Sequence, residues 1–184
     1  VAARACSSRS SVIALFLVPV LAACTSPQET GHALEEGIQS SGTIGHDSLE
    51  VGQQWNLALP LMRNISPEKI RVKSAQVDNV PEGIEVIGYG AYNRNDTEGM
   101  ALISRTGSPG MPDFDKLKNH FGEQIGIDPN TESDIYYVVK VKITGRITEN
   151  LAGATFTYDS GEHTYKQSLP FEAALRLEGT PSGP

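Results

Sequence analysis

The chain is predicted to fold as an immunoglobulin-like antiparallel β-sandwich of about seven strands, with one short helix in a long loop. Three observations lead there. Long stretches alternate apolar and polar residues with period two. Clusters of Gly, Pro, Asn, Asp and Ser separate these stretches at short intervals. No segment sustains the apolar spacing of a long helix. The Cys–Trp–Cys core pattern of true immunoglobulin domains is absent, so the prediction concerns architecture only. An open β-barrel is the alternative.

The elements follow in order. Trp55, Leu57, Leu59 and Leu61 fall on one face of a first strand, and Pro60 marks an edge or a bulge. Arg63 to Pro67 is a turn. Ile70 and Val72 share one parity while Ala75 and Val77 share the other, which predicts a β-bulge near Ser74. After the turn Pro81-Glu82-Gly83, residues Ile84 to Tyr92 form a third strand. Met100 to Ile103 is a short strand candidate, and Arg105 to Pro112 is loop. Asp113 to Phe121 is predicted as the short helix: Asp113 caps it, Phe114, Leu117 and Phe121 share a face, and Gly122 ends it. Ile135, Tyr137, Val139, Val141 and Ile143 then alternate with Tyr136, Val138, Lys140 and Lys142. Ala154, Phe156 and Tyr158 lead through the hairpin turn Asp159 to Glu162 into a last strand, where Tyr165, Gln167, Leu169, Phe171, Ala173 and Leu175 hold one parity.

Composition bounds the function. The 184 residues suffice for one domain of ordinary size, and the net charge of −7 argues against a nucleic-acid binder with its basic face. No run reaches the ~20 apolar residues of a membrane-spanning helix. Both cysteines, Cys6 and Cys24, lie near the N-terminus, so no downstream thiol can hold a metal or close a disulfide.

Residues 1–24 have the order of an export signal. Arg4 and Arg9 are basic with no acid near them; Val12 to Ala22 is an apolar run of eleven residues, interrupted by Pro19; Ala22, Ala23 and Cys24 follow. Val1 at the first position is what a GTG start codon read literally would give. Leu21-Ala22-Ala23-Cys24 resembles the lipobox of bacterial lipoproteins. That resemblance implies cleavage before Cys24 and attachment of a diacylglycerol to its sulfur, with small residues before the cut to fit the peptidase. The rest of the chain resembles, in texture, small lipoproteins of high-GC Gram-positive bacteria. The expected organisation is a signal peptide over 1–23, a flexible tether over 24–47 with an r.m.s. reach of roughly 25 Å, a β-domain over 48–178 and a tail over 179–184. Ala33 to Ile38 could add one helical turn to the tether.

Candidate chemistry is sparse. His32, His46, His120 and His163 show no metal-ligand spacing and read as surface residues. Met100 and Met111 are separated by ten residues, which resembles the first half of the ligand pattern of exported β-sandwich copper chaperones. The second half would fall on Ser133 and Ile135, which are not ligands. Asp128 to Asp134 places oxygens at alternate positions as a calcium loop does, but Ser133 and Val139 stand where that loop needs Gly and Glu. Asp113 and Asp115 fit a capped first helical turn. Asn64-Ile65-Ser66 and Asn95-Asp96-Thr97 are chance glycosylation triplets in a bacterial lipoprotein. No nucleophile elbow, phosphate loop or dinucleotide fingerprint appears.

The expected function is therefore a membrane-anchored, extracytoplasmic, non-enzymatic binding or structural module of the cell envelope. Cys24 is its lipid attachment site, its partner is an envelope protein or glycan, and no catalytic residue, metal or cofactor is expected. The alternative is a carrier of a metal ion or small ligand, such as a copper-chaperone-like sandwich.

Overall fold

The computed structural model describes residues 29–38 and 42–179. The expected signal peptide, Cys24 and residues 180–184 lie outside them. The described residues hold twelve strands, several of only two or three residues, in place of the seven or so expected, and no helix. They are β1 (Glu29–Thr30), β2 (Leu34–Glu36), β3 (Thr43–Leu49), β4 (Gln54–Ala58), β5 (Met62–Asn64), β6 (Ile70–Asn79), β7 (Ile84–Asn93), β8 (Ile103–Arg105), β9 (Ile125–Ile127), β10 (Ile135–Ile143), β11 (Leu151–Ser160) and β12 (His163–Leu177).

Two main sheets enclose one apolar core, and neither closes into a barrel. The first runs β1-β12-β11-β6-β9, with β3 also paired to β12; the second runs β7-β10-β4-β8. A third, two-stranded sheet joins β2 and β5. Val72, Phe156 and Tyr158 from the first sheet meet Leu57, Val139 and Val141 from the second in one continuous cluster. The alternation read in the sequence sets this packing: every second side chain points to the same face of its sheet. The bulge predicted near Ser74 is present. Thr157 pairs with Ser74 and Tyr158 with Val72, leaving Lys73 as the extra residue. The hairpin between β11 and β12 turns on Gly161 and Glu162, with Gly161 at φ 57°, where glycine carries no Cβ penalty.

Three expectations are corrected. First, residues 29–30, 34–36 and 43–47, expected as tether, belong to the sheets. β1 and β3 both run parallel to β12 and share its outer edge: Glu29 aligns with Tyr165, and Ala173 with Ile44. The one helical turn expected at Ala33 to Ile38 is extended chain, with Leu34 buried. Specific bonds fix this segment. Gly31 donates to the carbonyl of Lys166 (2.7 Å), Ala33 to Tyr158 Oη (3.0 Å) and Leu34 to Gln167 Oε1 (3.0 Å). Gly31 lies so close to the Tyr158 hydroxyl that no Cβ fits there.

Second, residues 113–121 form turns rather than a helix. Asn119 Oδ1 accepts from Ala91 N (2.9 Å) and His120 N donates to Ala91 O (2.8 Å), so the segment is drawn along the edge of β7. Phe114 and Leu117 do pack together, against Ala58, Tyr92, Tyr136 and Val138 on the outer face of the second sheet. Phe121 departs from them and stacks on Tyr89 at 5.9 Å. Asp113 and Asp115 pair with Lys116 and Lys140 instead of capping.

Third, Leu61 does not share a face with Trp55, Leu57 and Leu59. β4 ends at Ala58, ahead of Pro60, and Leu61 falls into the outer cluster.

Val139 and Val141 face the core as the parity predicts, and both are fully buried, while Lys140 and Lys142 are partly exposed. Val141→Asp should therefore cost on the order of several kcal/mol, out of the ~5–15 kcal/mol of a small domain, and Lys142→Asp little. Parallel thermal melts check this; a larger loss for Lys142→Asp would place the strand one residue out of register. Tyr137 gives a second test. Its hydroxyl is buried with no hydrogen-bond partner among the described residues, and burial pushes its phenol up to about 12. In the unfolded chain a tyrosine ionises near pH ~10. The unfolded state thus loses this proton first, so the stability contribution is intact below about pH 10 and lost as pH rises toward 12. Tyr137→Phe should match or exceed the parent by about 1 kcal/mol at neutral pH. It should also lose stability less steeply in the alkaline window, as urea unfolding at stepped pH would show.

Candidate functional site

A cleft of about 390 Å³ opens where β3, β4 and β8 meet the loop after β8. His46, Gln53, Trp55, Arg105, Ser108 and Met111 line it. Three strands position these groups. His46 aligns with Leu175 in the first sheet, while Trp55 aligns with both Val141 and Arg105 in the second. The cleft thus straddles the two sheets at one end of the domain.

The chain's single tryptophan forms the floor. Trp55 is 6% exposed, and its Nε1 donates to Gln53 Oε1 at 3.1 Å. The His46 ring covers it at a centroid distance of 4.7 Å, tilted by 42°. Arg105 Nε reaches Ser108 Oγ at 3.4 Å, and the guanidinium forms no ion pair among the described residues. Met111 is half exposed at the rim. The lining carries one imidazole and one guanidinium and no carboxylate. Chemically this is an aromatic floor with a planar five-donor cation beside it, able to hold an oxygen-rich or anionic group against an apolar wall.

Other sequence candidates fall elsewhere. Met100 packs on the outer cluster with Phe114 and Tyr136, in different surroundings from Met111. Ser133 is buried and bonds the first residue of β10, donating to Ile135 O at 2.7 Å. The carboxylates of the calcium-like segment turn to cations: Asp128 to Lys69 (2.9 Å), and Glu132 and Asp134 to the two ends of Arg94 (both 3.3 Å). His120 pairs with Glu123 at 2.8 Å, which holds that carboxyl below its ordinary range. No cluster of three or more His, Cys, Asp or Glu suited to a metal occurs among the described residues. Asn64 of the first glycosylation triplet is fully buried and donates to the carbonyls of Glu68, Ile127 and Asp128, so it is a structural pin.

Beside the cleft, a polar strip crosses the outer face of the second sheet. Asn56 and Ser104 are cross-strand neighbours, both buried. Lys140 bridges to Asp115 at 2.9 Å. Burial alone would lower the Lys140 ammonium, but bonds and charge from Asp115 and Tyr92 outweigh it and raise the pKa. Sequence reading missed the cleft because its parts are distant in the chain. In the sequence His46 falls in the expected tether and Arg105 in an expected loop, and no local spacing links either to Trp55.

The single tryptophan makes the cleft measurable. His46→Ala should uncover the indole, shift Trp55 emission to the red and raise its quenching by acrylamide. Ala substitution of the distant His163 should leave both unchanged. Identical spectra for parent and His46→Ala would refute the described ring contact.

No protein-family model and no curated protein matches this sequence. Among solved structures, the chain is similar to a family 123 glycoside hydrolase from Clostridium perfringens, described for glycolipid glycan hydrolysis. The identity is 14% and the TM-score 0.25, over 74% of this chain and 23% of that one. The chain thus spans under a quarter of that structure, and a likeness at this score carries no argument about activity.

Proposed function

We propose that the chain is a lipid-anchored, extracytoplasmic binding module of the cell envelope, non-enzymatic and built on an immunoglobulin-like sandwich. The observation that carries this reading is Leu21-Ala22-Ala23-Cys24 directly after an apolar run with basic residues before it. Cys24 takes the lipid, and the lipid, rather than a spanning helix, holds the domain at the membrane. The cleft supports a binding role. In an acidic chain, Arg105 stands without an ion pair among the described residues beside an aromatic floor, which suits an oxygen-rich group of an envelope glycan or protein.

A carrier role is the second reading. His46 and Met111 line one cleft, and imidazole and thioether suit Cu(I). Competition of the purified domain against a Cu(I) chelator separates the two: a 1:1 complex lost in both His46→Ala and Met111→Leu would favour the carrier.

Cys24→Ala tests the anchor. In a bacterial host the parent should incorporate labelled fatty acid and float with membranes, while Cys24→Ala should incorporate none and keep its leader. Labelled fatty acid in the mutant would overturn the assignment.

A further inference from the structure

We infer that the β11–β12 hairpin end of the domain faces an anionic lipid bilayer and that the Trp55 cleft opens at the opposite end, away from it. This rests on the lipid anchor proposed above.

The argument is one of lengths. Four residues, Thr25 to Gln28, separate Cys24 from Glu29. Five Cα-to-Cα steps span at most about 18 Å. Glu29 is no loose end: it aligns with Tyr165 in β12, two residues from the hairpin, and the bonds from Gly31, Ala33 and Leu34 fasten the segment that follows. The point where the chain leaves the domain is thereby fixed at the hairpin end of the first sheet.

The other end lies far beyond that reach. Leu177 aligns with Leu49, and the turn at Val51 and Gly52 follows, with Gly52 N bonded to Ile143 O at 2.8 Å. From Tyr165 to Leu177 an extended strand covers roughly 40 Å. The cleft belongs to this far end, since His46 aligns with Leu175 and Trp55 with Val141. With Glu29 paired, an anchor of about 18 Å lets that end reach the bilayer only if the domain lies flat along it.

The chemistry of the near end fits a hydrated lipid surface that is met but not entered. Gly161, Glu162 and His163 are exposed, and Glu68 and Lys69 stand beside them, since Ser160 Oγ donates to Glu68 and aligns with Ile70. No large apolar side chain is exposed among these residues to insert into lipid. Laying the long, net-negative domain flat would bring more like charge to an anionic surface.

The test uses the full chain made in a bacterial host, purified in its mature form and placed in vesicles of phosphatidylglycerol and phosphatidylethanolamine. With Cys24 lipidated and Cys6 removed with the leader, one added cysteine is the sole free thiol. Glu162→Cys and Val51→Cys both lie in exposed turns and are labelled with one fluorophore; a quencher sits on lipid headgroups. Glu162→Cys should be quenched several-fold more than Val51→Cys. Equal quenching, or stronger quenching at Val51→Cys, in protein whose mass shows the Cys24 lipid would overturn the orientation and leave the anchor standing. A mature protein with no lipid on Cys24 would overturn both.

Discussion

The outer edge of β12 is the constraint on which the rest depends. β12 is fifteen residues long, and β11 satisfies only one of its sides. A free edge of that length would present a row of unpaired amides and carbonyls, a template for any passing strand. The N-terminal segment fills it from both ends, with β1 beside Tyr165 and Lys166 and β3 beside Glu172 to Leu177. Between them the chain swings out to pair β2 with β5, burying Leu34 and bonding Gly37 N to Leu61 O. Closing the edge therefore also covers one flank of the core. It has a functional cost as well: a segment engaged in the sheet cannot act as a long tether.

The second sheet faces a different problem. Its strand β10 is apolar on both faces over its first half, where Tyr136 and Val138 alternate with Ile135, Tyr137 and Val139, all buried. One face meets the other sheet. The opposite face would be wetted at a cost of about 25 cal/mol per Å² of apolar surface. The long connection between β7 and β9 removes that exposure by laying Met100, Ala101, Phe114 and Leu117 over it. This explains why the loop carries apolar residues at near-helical spacing without being a helix. It is a lid on a sheet, held along the edge of β7 by Asn119 and His120.

The sequence made β6, β11 and the second half of β10 legible because each has one face nearer to water, and period-two alternation records that directly. The bulge in β6 was readable for the same reason, as a parity switch from Val72 to Ala75. The stretches at 29–38 and 42–47 were not readable. Their apolar residues, Ala33, Leu34, Ile38 and Ile44, are scattered singly, because β1 and β3 join the sheet through their backbone, as edge strands do. Backbone pairing leaves no hydrophobic period. The helix at 113–121 failed for the opposite reason: a real apolar pattern existed, but tertiary bonds to Ala91 decided its conformation. The cleft had no local signal at all. Trp55 looked like core, which it also is; His46 and Arg105 gained meaning only when two sheets brought them to one end.

These points combine into a single electrostatic and geometric picture. The domain is acidic, and its N-terminal strand β1 lies at the hairpin end of β12. Two of its carboxylates near that end are paired with cations, Asp128 with Lys69 and Asp159 with Lys73, whose bond holds the Asp159 carboxyl below its ordinary range. Arg105, by contrast, has no carboxylate partner among the described residues and sits with the aromatic floor at the far end. A guanidinium left unpaired in a chain of net charge −7 keeps its donors available for a ligand. The same pairing of β1 and β3 with β12 that protects the edge thus sets both ends of the domain apart: one holds Glu29 beside the β11–β12 hairpin, and the other holds Arg105 and the Trp55 cleft.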